Sequence, residues 1–302
     1  MNFDIGAVLT HAWQITWKHK VLWAINALPI ALALFLFPIW LVIVFTQDFN
    51  PGKMMGLANH PAFVIIGGVL YILLIVGGIV LQIISRASVT LGVYKVEAED
   101  QPIAFIGLLK DGFKYFWRIF GVFALISGGI LIVFLALFAC IGLVSAVTFG
   151  LGAICLQPLF LLLIPVSMVV MALMEQAESA VIADEMGVME AVKKAYELVR
   201  ANIWKYVAIT IIVYFGMNIL MSLIMFPLMI PLFFIMMRSM ENGMDFNNML
   251  RIQAVFGIVL LPVMALVQGV IMTYLKSAMM LTYLRLSRSS GEPQPVLQEA
   301  VA

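Results

Sequence analysis

Residues 119–174 read IFGVFALISGGILIVFLALFACIGLVSAVTFGLGAICLQPLFLLLIPVSMVVMALM and contain no Asp, Glu, Lys, Arg or His. A helix needs roughly 20 apolar residues to cross a hydrocarbon core of about 30 Å, so this stretch is long enough for two crossings. Ser145, Thr148, Gly150 and Gly152 lie between its two halves and are typical of a turn. The stretch therefore predicts a hairpin of two helices that is buried in a membrane almost from end to end.

The rest of the chain has the same apolar character. It is 64% hydrophobic and only 11% charged, whereas a soluble globular protein carries about 25% charged residues. Backbone groups in lipid must be hydrogen-bonded within a helix or a closed barrel, and the apolar runs are continuous rather than alternating, which indicates helices. We therefore predict an all-α polytopic membrane protein with six transmembrane helices, near residues 21–46, 62–84, 119–144, 151–174, 206–236 and 254–275.

Each predicted hairpin follows an amphipathic stretch, and the three stretches begin near Ile5, Phe105 and Val188. When they are aligned, their small-aromatic pairs coincide at spacings of 100 and 83 residues; the pairs are Ala12-Trp13, Gly112-Phe113 and Ala195-Tyr196. A recurring unit of this kind indicates a duplicated structural element. We predict a single membrane domain over residues 1–288, with three hairpin repeats at about 4–97, 100–186 and 187–288 and a disordered tail over 289–302.

The three amphipathic stretches combine aromatic side chains with Lys and Arg, which is typical of helices that lie at a membrane interface. The predicted interfacial anchors are Trp13, Trp17, Lys18, Lys20, Lys110, Lys114, Trp117, Arg118, Lys193, Lys194, Arg200 and Trp204. Two placements remain open, because the same apolar face serves either. The helices lie on lipid, or they dock on the bundle as a cap.

Charged residues also occur where the second helix of each hairpin leaves the membrane. Arg86, then Glu175 and Glu178, then Lys276 each precede a related segment that begins with Ser. If the repeats surround a pseudo-threefold axis, these opposite charges meet at the cytoplasmic end of the molecule. We predict that Arg86 or Lys276 pairs with Glu175 or Glu178. The alternative is that each side chain extends separately to water.

The distribution of cations predicts the orientation. Fourteen of the 17 Lys and Arg residues flank one side of the predicted spans, and cytoplasmic loops carry the excess of Lys and Arg. Both termini are therefore expected in the cytoplasm. The net charge of +1 gives no reason to expect a nucleic-acid partner, which requires a concentrated basic surface.

Residues that carry out chemistry are sparse. No ionisable residue lies near the middle of a predicted span, and the motifs of nucleotide-binding loops, zinc proteases and serine hydrolases are absent from the sequence. We predict neither enzymatic activity nor a cofactor. The candidate intramembrane polar contacts are Asn26, Gln157 and Asn218, which either form interhelical hydrogen bonds or touch a substrate.

Two smaller features have two interpretations each. Glu175, Glu178, Asp184 and Glu185 form an acidic cluster in the sequence. The four residues bind a cation, or Asp184 and Glu185 stabilise the dipole of the third amphipathic helix. Cys140 and Cys155 lie equally far from the turn near 147–148. They form a disulfide or remain buried thiols.

The stretch MEAVKKAYELVRANIWKYVAI (189–209), which LTHAWQITWKHKVLW (9–23) echoes, resembles the membrane domain associated with glycerophosphoryl diester phosphodiesterases and its stand-alone relatives. The resemblance implies a six-helix bundle in the bacterial inner membrane. The catalytic portion of those phosphodiesterases is not in this sequence, so their activity is not expected here.

These observations lead to one functional hypothesis and one alternative. The hypothesis is a non-enzymatic inner-membrane protein that organises membrane lipids or scaffolds partner proteins through its interfacial helices. The alternative is a passive or partner-energised carrier of a lipid or small apolar solute. Membrane lipids are the expected partners in both cases, and other membrane proteins in the first.

Overall fold

The structure, a computed structural model, describes residues 4–46, 61–99, 103–150, 157–241 and 246–289. This part of the chain is about 94% helical and contains no strand. Its helices are α1 (Ile5–Lys18), α2 (Val21–Asn26), α3 (Leu28–Thr46), α4 (Pro61–Tyr94), α5 (Phe105–Lys114), α6 (Phe116–Val147), α7 (Gln157–Ala183), α8 (Val188–Ala201), α9 (Ile203–Glu241) and α10 (Phe246–Ser289), with a short π-helix at Lys95–Glu99. The predicted tail lies outside the described residues apart from Ser289.

The short helices α1, α5 and α8 occupy the three amphipathic stretches and begin at Ile5, Phe105 and Val188. At the start of α1, the Asp4 carboxylate accepts a hydrogen bond from the Ala7 N–H at 3.2 Å, which satisfies one of the backbone donors that a helix leaves unpaired at its beginning. At the start of α8, the Glu190 carboxylate accepts from the Gly187 N–H at 3.4 Å. The predicted helices are therefore present, with local caps on two of them.

Five helical segments are long and apolar enough to cross a membrane, namely Gly68–Ala98, Phe116–Val147, Leu163–Ala183, Ile203–Arg238 and Asn247–Ser287. The first predicted span differs from the other five. Its run is divided at Ala27 into α2 and α3, and neither part is among the five segments.

The division at Ala27 follows from Pro29. Proline has no N–H, and its ring clashes with the carbonyl four residues earlier, which here is the carbonyl of Ile25. The Ser85 hydroxyl of α4 donates a hydrogen bond of 2.7 Å to that carbonyl. A side chain from the neighbouring helix thus replaces the backbone bond that the proline removes.

The packing of the helices follows one rule in all three predicted repeats. Helices α4, α7 and α10, which end the three hairpins, contact one another. Each amphipathic helix packs mainly on one of them: α5 on α4, α8 on α7, and α1 on α10. Each therefore lies on the last helix of the preceding hairpin, and the first helix of the chain lies on its last.

The buried core lies at one end of this arrangement. We call it the inner core, and it consists mainly of residues 83–93 of α4, 172–182 of α7 and 275–287 of α10, surrounded by the amphipathic helices. Towards the other end the helices expose apolar side chains, for example over most of residues 131–147 of α6 and 218–238 of α9. We call these segments the outer halves.

Candidate functional site

Four charged side chains from three helices meet in the inner core, and we call them the charge cluster. Arg86 of α4 lies 2.9 Å from the carboxylate of Glu175 and 2.7 Å from that of Glu178, both on α7. Lys276 of α10 lies 2.7 Å from Glu175 and also pairs with Glu178. The predicted pairing of these residues is thus present, and both cations contact both carboxylates.

The charge cluster is almost inaccessible to solvent. The exposed fractions of the side chains are 0% for Glu178, 3% for Lys276, 4% for Glu175 and 16% for Arg86. Desolvating an ion costs several kcal/mol, so buried charges of one sign require partners of the other. Two cations and two carboxylates give a neutral group, and this balance ties α4, α7 and α10 together.

A neutral polar pair extends the charge cluster towards α9. Gln176, next to Glu175, donates to the carbonyl of Met279 at 3.1 Å and accepts from the Tyr206 hydroxyl at 3.0 Å. All three residues are buried. Gln176 and Tyr206 were not predicted as a pair, because they belong to different helices and no sequence spacing relates them.

Each amphipathic helix contacts the bundle at a small residue, and we call the side of the helix that contains this residue the docking face. Ala12 of α1, Gly112 of α5 and Ala195 of α8 occupy the aligned position, and all three are buried. At Gly112 the approach is so close that an added Cβ would lie 2.2 Å from the Ser88 hydroxyl and 2.9 Å from the Ser88 Cα. Glycine is therefore required where α5 crosses α4.

The residue before each docking position pairs with a side chain of a neighbouring element. His11 Nε2 is hydrogen-bonded to the Glu97 carboxylate at 2.7 Å, while Asp111 and Lys194 form ion pairs with Lys95 at 2.7 Å and with Asp184 at 3.2 Å. The residue types differ among the three helices, but the position is the same. Hydrogen bonds from Lys95 and Lys114, with the attraction of both cations, lower the pKa of Asp111.

The residue after each docking position is an exposed aromatic, and we call this second side the aromatic face; on α1 the ring of Trp13 also contacts Tyr274 of α10, with ring centroids 5.7 Å apart. Trp13, Phe113 and Tyr196 are 42%, 59% and 54% exposed. Trp17 and Trp117 continue this face, and Trp204 is exposed at the start of α9. The predicted cationic anchors are exposed too, apart from Lys194, which pairs with Asp184: Lys18, Lys20, Lys110, Lys114, Arg118, Lys193 and Arg200.

The docking face and the aromatic face bear on whether α1, α5 and α8 lie on lipid or on the bundle. Successive residues of a helix lie about 100° apart, so Ala12 and Trp13 belong to different sides of α1. One side contacts the last helix of a hairpin, and the other is aromatic and exposed over much of its surface. The structure thus shows the contact with the bundle, and the placement of the aromatic face on lipid stays a prediction.

The three predicted intramembrane polar residues differ from one another. Asn26 is buried and donates to the Thr273 hydroxyl at 2.8 Å, which joins α2 to α10. Asn218 is exposed and donates to the carbonyl of Tyr214 at 2.7 Å. Its hydrogen bond therefore lies within α9 and not between two helices. Gln157 is the first residue of α7, and its side chain lies outside the described residues.

The remaining acidic residues are bound by neighbouring groups. Asp184 pairs with Lys194 and accepts from the Tyr283 hydroxyl, and Glu185 accepts from the Tyr115 hydroxyl at 3.3 Å. Within the described ranges, no group of three or more His, Cys, Asp and Glu residues is arranged to hold a metal ion. Cys140 is exposed, and Cys155 lies outside the described residues.

Cavities lie between the helices of the described segments, and two of them bear on function. The larger is an open groove of about 550 Å³ between α6 and α7, lined by apolar side chains apart from Ser127 and Ser167. The smaller has about 190 Å³, lies among α7, α9 and α10, and is lined mostly by Met and aliphatic side chains with Asn218 and Gln268. Neither contains a charged group in its lining.

Comparison of the chain with protein-family models, with curated proteins and with solved structures found no match. The resemblance to the membrane domain of glycerophosphoryl diester phosphodiesterases therefore stays a prediction from the sequence. The function has to be inferred from the arrangement of the residues themselves.

Proposed function

We propose that this chain is a non-enzymatic integral protein of the bacterial inner membrane that organises membrane lipids or scaffolds partner proteins. The observation that carries the proposal is the two-sided character of α1, α5 and α8. Each docks on the bundle through a small residue and exposes an aromatic side together with Lys and Arg. Such a surface matches the headgroup level of a bilayer, where aromatic rings and cations are both favourable.

The proposed architecture is three repeats of one unit, each an amphipathic helix followed by two membrane crossings. Five helical segments are long and apolar enough to cross, and in our proposal α2 and α3 together make the sixth crossing. The cyclic order in which α1, α5 and α8 pack supports three equivalent units. An even number of crossings then puts both termini on one side, which the cationic flanks assign to the cytoplasm.

The experiment is to extract the full chain from bacterial membranes in polymer-bounded nanodiscs and to measure the lipids that accompany it. Each exposed cation near an anionic leaflet contributes about 1 kcal/mol, so we expect anionic lipids to be enriched over the bulk membrane. Replacing Lys110, Lys193 and Arg200 by Gln should remove part of the enrichment. A lipid composition equal to that of the bulk membrane, without a stable partner protein, would contradict the proposal.

The alternative function, a carrier of a lipid or small apolar solute, is favoured by the groove between α6 and α7. A carrier of polar solutes would need polar groups in its path, and this groove is lined almost entirely by apolar side chains. Vesicles containing the full chain provide the test. Movement of a labelled lipid between leaflets faster than in protein-free vesicles would favour the carrier over the scaffold.

A further inference from the structure

The groove between α6 and α7 has the dimensions of a single acyl chain. Its volume of about 550 Å³ is within the range of about 300–1,000 Å³ that holds small ligands. Its lining extends from Leu125 to Leu137 on α6 and from Leu163 to Met174 on α7. With a rise of 1.5 Å per residue, each side is about 17 Å long, close to the roughly 15 Å depth of one leaflet.

The inner end of the groove lies next to the charged end of the molecule. Met174 immediately precedes Glu175 of the charge cluster, so the groove begins at the level of that cluster and continues towards the outer halves. On α6, Leu125 is seven residues beyond Arg118, a distance of about 10 Å along the helix. The headgroup layer is about 5–7 Å thick on each side of the hydrocarbon core. The Arg118 backbone therefore lies about 3–5 Å beyond this layer, a gap that its long side chain can span to reach the phosphate of a lipid whose chain enters the groove.

Arg118 retains the capacity to bind an anion. Its side chain is exposed, and its Nη1 donates to the backbone carbonyl of Glu185 at 2.8 Å rather than to a carboxylate. The Glu185 carboxylate accepts from the Tyr115 hydroxyl. A guanidinium has five N–H donors, so further donors of Arg118 remain for a phosphate. Trp117, which is 75% exposed, flanks the same position as an interfacial aromatic.

We propose that this corner of the molecule binds one anionic phospholipid. One acyl chain lies between α6 and α7, and the phosphate is bound by the guanidinium of Arg118. The site needs the bilayer placement of the proposed function but differs from the aromatic faces, because it is intramembrane and belongs to a single pair of helices. Charge complementarity selects the headgroup, and the length of the groove accommodates the chain.

The test uses the full chain in phosphatidylcholine vesicles that contain a small fraction of a photoreactive lipid. One sample carries phosphatidylglycerol with a diazirine in one acyl chain, and the other carries phosphatidylcholine with the same chain. After illumination, adducts are located by peptide mass spectrometry. We expect adducts on residues 125–137 and 163–174, and about fivefold more from the anionic lipid, the ratio that one nearby cation supplies.

Two variants test the headgroup contact and the acyl-chain contact independently. Arg118→Gln should reduce labelling by the anionic lipid to the level of phosphatidylcholine, whereas Arg238→Gln, near the other end of α9, should leave it unchanged. Gly129→Leu should block the groove, because an added Cβ at Gly129 meets open space and Gly129 lines the groove. Gly142→Leu is the matched control, since Gly142 also faces open space on α6 but does not line the groove.

Equal labelling by the two lipids, or labelling that Gly129→Leu leaves unchanged, would overturn the site and leave the proposed scaffold function intact. A chain that fails to float with the vesicles would overturn both proposals. The two failures are therefore distinguishable in the same samples.

Discussion

The inner core and the outer halves of the same helices differ in what covers their apolar surface. In the inner core, residues 275–287 of α10 are almost all buried by other parts of the protein. In the outer half of α9, Leu223, Phe226 and Phe233 are each exposed by more than 60%. The inner core contains charged and polar side chains among its apolar ones, whereas the outer half of α9 is almost continuously apolar. Protein packing stabilises the first, and lipid has to solvate the second.

Because of this difference, we expect the inner core to contribute most of the free energy of unfolding. The inner core contains the charge cluster, the docking positions and most of the buried polar residues, whereas the outer halves have few protein neighbours. Substitutions in the inner core should therefore change the free energy of unfolding, and substitutions in the outer halves should change it little. Four predictions test this contrast, each by reversible unfolding of the full chain in detergent mixtures.

The largest effect is expected from Glu178→Gln. The change keeps the size of the side chain but leaves Arg86 and Lys276 with one carboxylate between them in a buried site. Breaking a buried ion pair costs about 3–5 kcal/mol, and we expect a loss of unfolding free energy of that order. Glu197→Gln, on the exposed side of α8, is the control. A loss no larger than that of the control would show that the cluster does not stabilise the core.

A smaller effect is expected from Gly112→Ala. The added Cβ would overlap Ser88 of α4, and overpacking of this kind costs about 1–3 kcal/mol. Gly107→Ala on the same helix is the matched control, because its nearest neighbour would lie at 3.9 Å. Alanine favours a helix over glycine by up to about 1 kcal/mol, so Gly107→Ala should not destabilise. Equal effects of the two substitutions would contradict the close docking of α5.

Asp111→Asn should have a small and pH-dependent effect. At neutral pH the loss of the ion pairs with Lys95 and Lys114 should cost about 0.2–1 kcal/mol, as for other partly exposed pairs. Because the pKa of Asp111 is lowered in the folded protein, its stabilisation is complete above the ordinary aspartate pKa and is lost as the pH falls through the lowered value.

The measurement for Asp111 is the difference in unfolding free energy between the wild-type chain and Asp111→Asn at several pH values from 7 downwards. The difference should shrink in acid. A difference that grows as the pH falls would have the wrong sign for a carboxylate with a lowered pKa.

The smallest effect is expected in the outer halves. Gly68→Ala and Gly142→Ala place a Cβ where no atom lies within 4 Å, so neither creates a clash. The change in unfolding free energy should be at most about 1 kcal/mol, towards greater stability, from helix propensity alone. A loss comparable to that of Gly112→Ala would mean that these helices have protein neighbours in the outer halves.

The same contrast explains what the sequence could predict. The apolar runs and their spacing indicate long helices and the amphipathic stretches, because hydropathy and period depend on local composition. The pairing of Arg86, Lys276, Glu175 and Glu178 was predictable because the aligned repeats, if they surround one axis, bring these opposite charges together. The sixth crossing stays a prediction, because five described segments are long and apolar enough to cross and the first run is divided at Ala27.

Other features depend on contacts that the sequence does not encode locally. Ala12 and Trp13 are neighbours in an apolar stretch, and only the packing on α10 shows that Ala12 is buried while Trp13 remains partly exposed. The bond between Gln176 and Tyr206 requires the relative placement of α7 and α9. Gly112 reads as a helix-weakening residue in isolation, and only the crossing with α4 shows why glycine is needed there.

The most direct test of the proposed architecture is the location of the three amphipathic helices relative to the membrane. Single cysteines at Asp4, Lys110 and Lys193, and one at Thr148 in the turn after α6, are introduced into a chain whose Cys140 and Cys155 are replaced by Ser. A membrane-impermeant thiol reagent is then applied to intact spheroplasts. Our account predicts that only the cysteine at Thr148 reacts before lysis and that the other three react after it. A reaction at any of those three before lysis would contradict the triplicated unit.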